Sequence, residues 1–430
     1  MRTTYTFQPE DIKLFKQKLI RWANQSYDML WLDSNQHSDK YSSFDGILAL
    51  DAFTAVRTDI TQSLEELDDY ISNTKDWIFG YIGYDIKNGI EHLSSQNEDN
   101  LGFPDIYFFQ PQKLFFFKGD TVELKYLNMV ADEIDLDIEE ILNFNFKSEG
   151  VKTKPSIQSK ISRDAYIDKV NDILAHLKRG DIYEMNFCQE FYLSPHNSFT
   201  PIKTFEDLNS ISKPPFACYF KHEHLYAICS SPERYLKKQG QKIISQPIKG
   251  TAKRGNTLEN DLELVAELQS NPKEVSENVM IVDLVRNDLS KISEKNSVNV
   301  EELCKIYTFE QVHQMISTIS SHLLPETSFS DILKATFPMG SMTGAPKISA
   351  MEIIEETEST KRGLYSGCIG YITPEFDFDF NVVIRSILHN SEKQYTSMMV
   401  GSAITAKSDP EKEYDECLVK AKALFEVLQG

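Results

Sequence analysis

The chain has 430 residues, 41% hydrophobic and 26% charged, ordinary values for a globular protein with room for two or three average domains or one large core. Its net charge of −20 excludes nucleic acid or an anionic membrane as a partner held by bulk electrostatics, and it means that an anionic substrate needs a local cluster of cations. The six cysteines form no C-x-x-C pair and none has a histidine at zinc-ligand spacing, no apolar leader follows Met1, and no apolar run reaches the roughly 18 residues of a membrane helix, so a cytoplasmic enzyme or subunit with reduced thiols is expected.

The first 150 residues read as irregular, with apparent strands at 77–84 and 113–118 and helical stretches such as 9–24. Residues 131–160 read as a connection, an acidic helix over 133–142 followed by the polar stretch 147–155. A helix then starts at Ser162, a good N-cap. It carries Tyr166, Val170, Ile173, Leu174 and Leu177 at helical spacing and stops at Gly180. Strands are predicted over 182–193, 216–220, 225–230 and 242–249, and helices over 257–269, 274–288 and 346–359. A short strand at 367–373 precedes the long apolar run 376–387, a last strand at 396–405 and a C-terminal helix from Pro410. Strands in groups and helices in groups, joined by hairpin-length connections, predict an α+β fold of antiparallel sheets with helices outside.

Several residues could carry chemistry. Lys249 sits between Pro247-Ile248 and Gly250-Thr251, on a stiff stretch where Pro247 fixes its own φ and Gly250 permits close approach of the backbone. An amine held in this way is a nucleophile when its surroundings lower its pKa; read alone, such a lysine is usually just solvated. Glu277 shares a helical face with Met280, Ile281 and Leu284, so its carboxylate is either a helix-end acid favouring the dipole or a buried group needing a cation. In the C-terminal helix Glu413, Glu416 and Lys420 lie on one face, as a surface ladder or as two more acids beside Glu277 around a hard cation such as Mg2+. Arg385, inside the apolar run 376–387, needs an anionic partner, and its planar fork suits a carboxylate. The stretch 340–347, Gly-Ser-Met-Thr-Gly-Ala-Pro-Lys, does not have the spacing of a nucleotide phosphate loop.

Six motifs in order resemble those of the chorismate-utilising enzymes: residues 180–186 (Gly-Asp-Ile-Tyr-Glu-Met-Asn), 231–234 (Ser-Pro-Glu-Arg), 247–251 (Pro-Ile-Lys-Gly-Thr), 280–288, 340–347 and 363–367. The resemblance covers about 155–430 as the chorismate-binding catalytic region. It implies two large antiparallel β-sheets packed face to face with helices outside, residues 1–150 forming part of the same sandwich. Within that family the residue after Pro-Ile is lysine in aminodeoxychorismate synthases and alanine in anthranilate, isochorismate and salicylate synthases. Here it is Lys249, and Glu184 stands where water-using members carry a basic lysine. The resemblance is therefore nearest to aminodeoxychorismate synthase component I, with anthranilate synthase component I and a catalytically silent chorismate-binding subunit as alternatives.

The resemblance also implies roles. Lys249 would attack chorismate covalently, and Glu233 would be general acid and then base; the alternative for Glu233 is an ion pair with Arg234 or another strand residue. Glu277, Glu413 and Glu416 would hold Mg2+. Lys420 and the backbone at Gly401 would meet the ring carboxylate, Tyr365 and Arg385 the enolpyruvyl carboxylate, and Asn186 and Thr251 the ring. Ammonia would come from a separate glutamine amidotransferase subunit, and a separate aminodeoxychorismate lyase would act on the product, since the chain carries no glutaminase signature and no length for a fused lyase. Gln314 stands where relatives have a histidine, with His313 one position earlier. Leu32-Asp33-Ser34 only partly matches the tryptophan-binding motif of anthranilate synthases, so no tryptophan regulation is expected.

Overall fold

The computed structural model describes every residue except 38–39, 60–62, 147–154, 194–198, 311 and 430, so most of the predicted polar connection lies outside the described residues. Strands pair antiparallel and join one hydrogen-bonded network that forks at strand Ile106–Lys118. Along one edge this strand pairs with Gly46–Thr58. Along the other it pairs first with Ile78–Ile82 and then with Thr121–Leu127. One branch runs through Asp28–Asp33, Phe216–His222, Leu225–Ser231, Ser386–Asn390 and Tyr395–Thr405 to Glu184–Leu193. The other runs through Cys368–Ile372, Phe378–Val382, Arg234–Gln239 and Lys242–Gln246 to Val312–His322.

Alternation along each strand explains the layers, because successive side chains point to opposite faces. Leu30, Phe220 and Ala227 of the first branch share one core with Phe79, Ile369 and Phe380 of the second. The odd-numbered neighbours Met29 and Trp31 face the other way, into a second core closed by helices Ile12–Ala23, Arg163–Arg179 and Pro410–Gln429. The α+β architecture of face-to-face antiparallel sheets with helices outside is thus present.

The first 150 residues are more regular than expected. They hold six strands among the described residues, and Asp28–Asp33 and Ile78–Ile82 pair directly with strands of the second half. Strand Ile106–Lys118 was legible only in its last six residues because it is apolar on both faces, with no two-residue alternation to mark it. Two predicted strands are each split. The 242–249 run becomes Lys242–Gln246 and Ile248–Lys253, because Pro247 interrupts it and the second piece continues past Gly250. The 376–387 run becomes Phe378–Val382 and Ser386–Asn390, with Arg385 at a φ of +52° in the break.

Candidate active site

Lys249 stands in a β-bulge. Ile248 pairs with Ile316 and Thr251 with Gln314, so two residues, Lys249 and Gly250, stand opposite one, Met315. The extra residue breaks the alternation and re-aims a side chain, and Gly250, at a φ of +94°, supplies the positive φ that the bulge needs. Asn278 ties the bulge to helix Pro272–Ser290, its side-chain amide donating to the carbonyls of Lys249 (3.4 Å) and Met315 (3.2 Å). The Lys249 side chain lines a cavity of about 360 Å³, the size of a small-molecule site.

Its amine donates to Glu184 Oε1 at 2.6 Å, and Glu184 is 1% exposed. Burial pulls the Lys249 ammonium down, but Glu184, Glu277 and Glu233 outweigh it and the net direction is up. This reverses the sequence-based requirement for a lowered pKa, because the acid 65 residues upstream is invisible in the local sequence. In the resting site the amine is a paired ammonium.

Glu233 is buried in the same wall. The expected alternative, an ion pair with Arg234, does not occur: Arg234 bonds Asp379 (2.9 Å) while Glu233 accepts from Ser341 Oγ at 2.7 Å. Desolvation pushes the Glu233 carboxyl up to about 7, against the Ser341 hydrogen bond and the Lys249 charge. A carboxyl near 7 can give a proton and take one back at neutral pH.

The three predicted metal acids come together partly. Glu277 and Glu416 line the cavity; Glu413 is buried one helical turn from Glu416 and outside the cavity wall. The Lys273 ammonium lies between two of them, 3.3 Å from Glu413 and 3.8 Å from Glu277. Desolvation pushes Glu277 up to about 7, with Lys249 and Lys273 opposing. Glu277 Oε1 and Glu413 Oε2 are buried without hydrogen-bond partners. Among the described residues no three His, Cys, Asp or Glu side chains converge closely enough to hold a metal together. The donors are nonetheless hard oxygens, two of them orphaned, beside an ammonium that already occupies a cation position, and such a set fits Mg2+. The ladder alternative is present as well: Lys420 pairs with Glu416 at 2.8 Å.

Lys420 also donates to the Gly401 carbonyl at 2.9 Å. A Cβ at Gly401 would lie 2.6 Å from both Asn186 Oδ1 and Cys188 Sγ, so only glycine fits this strand position. Asn186 is fixed by donating to the Ser341 carbonyl at 3.2 Å. Tyr365, Arg385 and Thr251 complete the predicted set, all on the cavity wall. The Arg385 guanidinium has no hydrogen-bond partner among the described residues and faces the space that a carboxylate would fill. Its backbone φ of +52° is costly for a non-glycine residue, and such strain concentrates at binding sites.

Sequence reasoning missed several residues here. Glu274, one helical turn before Glu277, lines the cavity; the i, i+3 spacing of the two acids was the available signal. Ser341 and Lys273 carried no signal of their own. Gln314 lines the cavity with its Oε1 buried and unpartnered, whereas His313 points away, bonded to Asp261 and Thr308 (both 2.9 Å). Leu32, Asp33 and Ser34 line a separate cavity of about 250 Å³ that holds none of the predicted catalytic residues.

A paired lysine, a carboxyl near neutrality, several acids and an arginine without a partner among the described residues surround one cavity, the arrangement of a small-molecule site. The chain belongs to the chorismate binding enzyme family, whose signature matches residues 22–426 and so begins well before the 155 expected from motifs. It is 34% identical over 365 residues to the anthranilate synthase component I-like protein of Synechocystis, spanning 82% of this chain and 73% of that one. It is 36% identical over 390 residues to the probable chloroplastic aminodeoxychorismate synthase of Oryza sativa, spanning 81% of this chain but only 43% of the rice protein. The crystal structure of anthranilate synthase component I from Streptococcus pneumoniae superposes with a TM-score of 0.77 at 25% identity, covering 91% of this chain and 94% of that one.

Proposed function

We propose that the chain is aminodeoxychorismate synthase component I, converting chorismate and ammonia to 4-amino-4-deoxychorismate. The observation that carries this is Lys249, an amine that a β-bulge aims into the cavity shared with Glu233, Glu277 and Arg385.

In the proposed cycle the Lys249 nitrogen bonds C2 of chorismate, the two ring double bonds shift, and the C4 hydroxyl leaves with a proton from Glu233. Ammonia then adds at C4, Glu233 takes a proton from it, the double bonds shift back and the C2–N bond breaks. Two displacements retain configuration at C4. Arg385, with Tyr365 beside it, binds the enolpyruvyl carboxylate, and Lys420 with the close backbone at Gly401 receives the ring carboxylate. Asn186 and Thr251 line the ring. Glu277, Glu413 and Glu416 would hold Mg2+, which when bound neutralises the ring carboxylate. A separate glutamine amidotransferase subunit supplies ammonia in the cytoplasm, and a separate lyase releases 4-aminobenzoate for folate synthesis.

Anthranilate synthase component I is the second reading, favoured by the names of the Synechocystis and Streptococcus relatives. Product analysis separates the two. Purified chain with chorismate, Mg2+ and an ammonium salt should yield aminodeoxychorismate, which added lyase converts to 4-aminobenzoate; anthranilate as the sole product overturns the assignment.

A further inference from the structure

The proposed cycle leaves one step without an agent. Lys249 can attack only as a neutral amine, yet it rests as an ammonium paired with Glu184. Glu233 is committed to the leaving hydroxyl, whose departure requires Glu233 to hold its proton when Lys249 attacks. Glu277 lies more than 4.0 Å from the amine, since Glu184 is its one ion-pair partner among the described residues.

Glu184 is differently placed from both. It opens strand Glu184–Leu193 and pairs across the sheet with Thr405 and Ala345, so its backbone is fixed on both edges. It is not part of the cavity wall, whereas Lys249, which it holds, is. Its Oε1 accepts from Lys249 at 2.6 Å, while its Oε2 is buried with no partner. A native interior seldom leaves a carboxylate oxygen orphaned, and an oxygen without a donor is free to carry a proton of its own. The other charges facing the pair are Glu277 and Glu274 from helix Pro272–Ser290, Glu233 from the turn before strand Arg234–Gln239 and Glu416 from helix Pro410–Gln429.

We infer that Glu184 is a catalytic residue, the proton acceptor that converts the Lys249 ammonium into the attacking amine and returns the proton when the lysine leaves. The step balances. The N–H bond of Lys249 breaks as an O–H bond forms on Glu184, leaving –NH2 and –COOH. The freed lone pair forms the N–C2 bond, and the adduct carries a secondary ammonium. That nitrogen leaves C2 with the bonding pair as –NH2, and Glu184 gives its proton back. No oxidant, reductant or further reactant is needed. Proton transfer inside a preformed hydrogen bond also keeps net charge in the pair unchanged.

This inference rests on Lys249 being the nucleophile, and the test separates the two claims. Enzyme is mixed with chorismate and Mg2+ without ammonia, quenched over milliseconds to minutes, and the Lys249-linked mass of chorismate less water is followed from pH 6 to pH 9. Wild type should form the adduct at a rate that is nearly flat up to about pH 7 and falls above it, as Glu233 loses the proton that the leaving hydroxyl needs. Glu184→Gln keeps the shape and the acceptor oxygen but not the basicity. It should be at least about 100-fold slower than wild type at pH 6.5, the usual worth of a general base, and its rate relative to wild type at the same pH should climb about tenfold per pH unit as hydroxide replaces the carboxylate. Glu184→Asp keeps a base at a longer reach and should restore the wild-type profile at a reduced rate, whereas a purely structural role would favour the glutamine. Circular dichroism of both variants guards against misfolding, and the aspartate variant carries the test if the glutamine variant does not fold. Adduct formation by Glu184→Gln within about threefold of wild type at pH 6.5, with the same profile, overturns the role of Glu184 alone. Absence of any Lys249 adduct in wild type overturns the nucleophile as well.

Discussion

Replacing Glu233 by glutamine should make the protein more stable and inactive at once. The side chain is buried, and desolvation raises its carboxyl from the ordinary 4.5 to about 7. The sign follows from linkage. A raised carboxyl binds its proton more tightly in the folded state, so its contribution is fully present below pH 4.5 and is lost as pH climbs through about 7. The whole interval corresponds to about 3 kcal/mol at 1.36 kcal/mol per pKa unit, most of it falling between pH 5 and pH 8. Glutamine mimics the protonated acid, accepts the Ser341 hydroxyl with its own Oε1 and has no charge to desolvate. The variant should therefore match wild type closely near pH 5 and exceed it by about 2–3 kcal/mol at pH 8. Urea denaturation of both proteins at pH 5, 6, 7 and 8 gives the difference directly, and the common titrations of all other groups cancel. A stability difference that stays constant from pH 5 to pH 8 would show that Glu233 titrates like a solvated acid, and the general-acid role would lose its physical basis. Such a gain in stability on losing a functional group is the usual trade between activity and a strained site.

Lys249→Met should abolish the covalent adduct and destabilise the fold by about 3–5 kcal/mol, because Glu184 is left buried and unpaired; adding Glu184→Gln should recover most of that loss in a double-mutant cycle. Mg2+ binding, measured calorimetrically, should weaken about tenfold for each pH unit below about 7, where Glu277 gains its proton, and level off above it; Glu277→Gln should lower the affinity and flatten the profile. Gly401→Ala should raise the KM for chorismate and cost about 1–3 kcal/mol, since its Cβ would press on Asn186 and Cys188 at 2.6 Å, and a melt plus initial rates checks both.

The parts of this molecule that were legible in the sequence are those set by local physics. Helix Arg163–Arg179 is bracketed by a Ser162 cap that accepts from the Ala165 amide and by Gly180 at a φ of +84°, both visible as residue types. Helix Pro410–Gln429 announces itself with Ser408-Asp409-Pro410-Glu411 in the same way. Motif order brought ten of the eleven predicted site residues to one cavity wall, Glu413 being the exception. What was not legible needs contact across the sheets. The bulge at Lys249 exists only relative to its partner strand, so no pattern along 247–251 reveals it. Arg385 read as a mid-strand residue because a break in an apolar run has no compositional mark. The Glu184 partnership joins the two branches of the fold over 65 positions, and with it the direction of the Lys249 titration.

The charge of the chain and the charge of its cavity differ, and the difference decides what can enter. Five cationic side chains and four acids line the cavity, in a molecule with a net charge of −20. Two of those acids, Glu233 and Glu277, sit near 7 and Glu274 is raised too, so at neutral pH the wall carries less than its full complement of negative charge. The cations are not equivalent. Lys249 and Lys273 face Glu184 and Glu413, and Lys420 faces Glu416, whereas Arg385 and the exposed Lys253 have no ion-pair partner among the described residues. A half-buried guanidinium cannot neutralise itself by losing its proton, so leaving it unpaired is costly until an anion arrives. Arg385 is thus the position where a carboxylate gains most, and a ligand bearing a second carboxylate reaches the Glu277–Glu416 end only if a divalent cation turns that acidic wall attractive. Dianion affinity should accordingly depend on Mg2+ for one carboxylate and on Arg385 for the other, so that removing either should lower it.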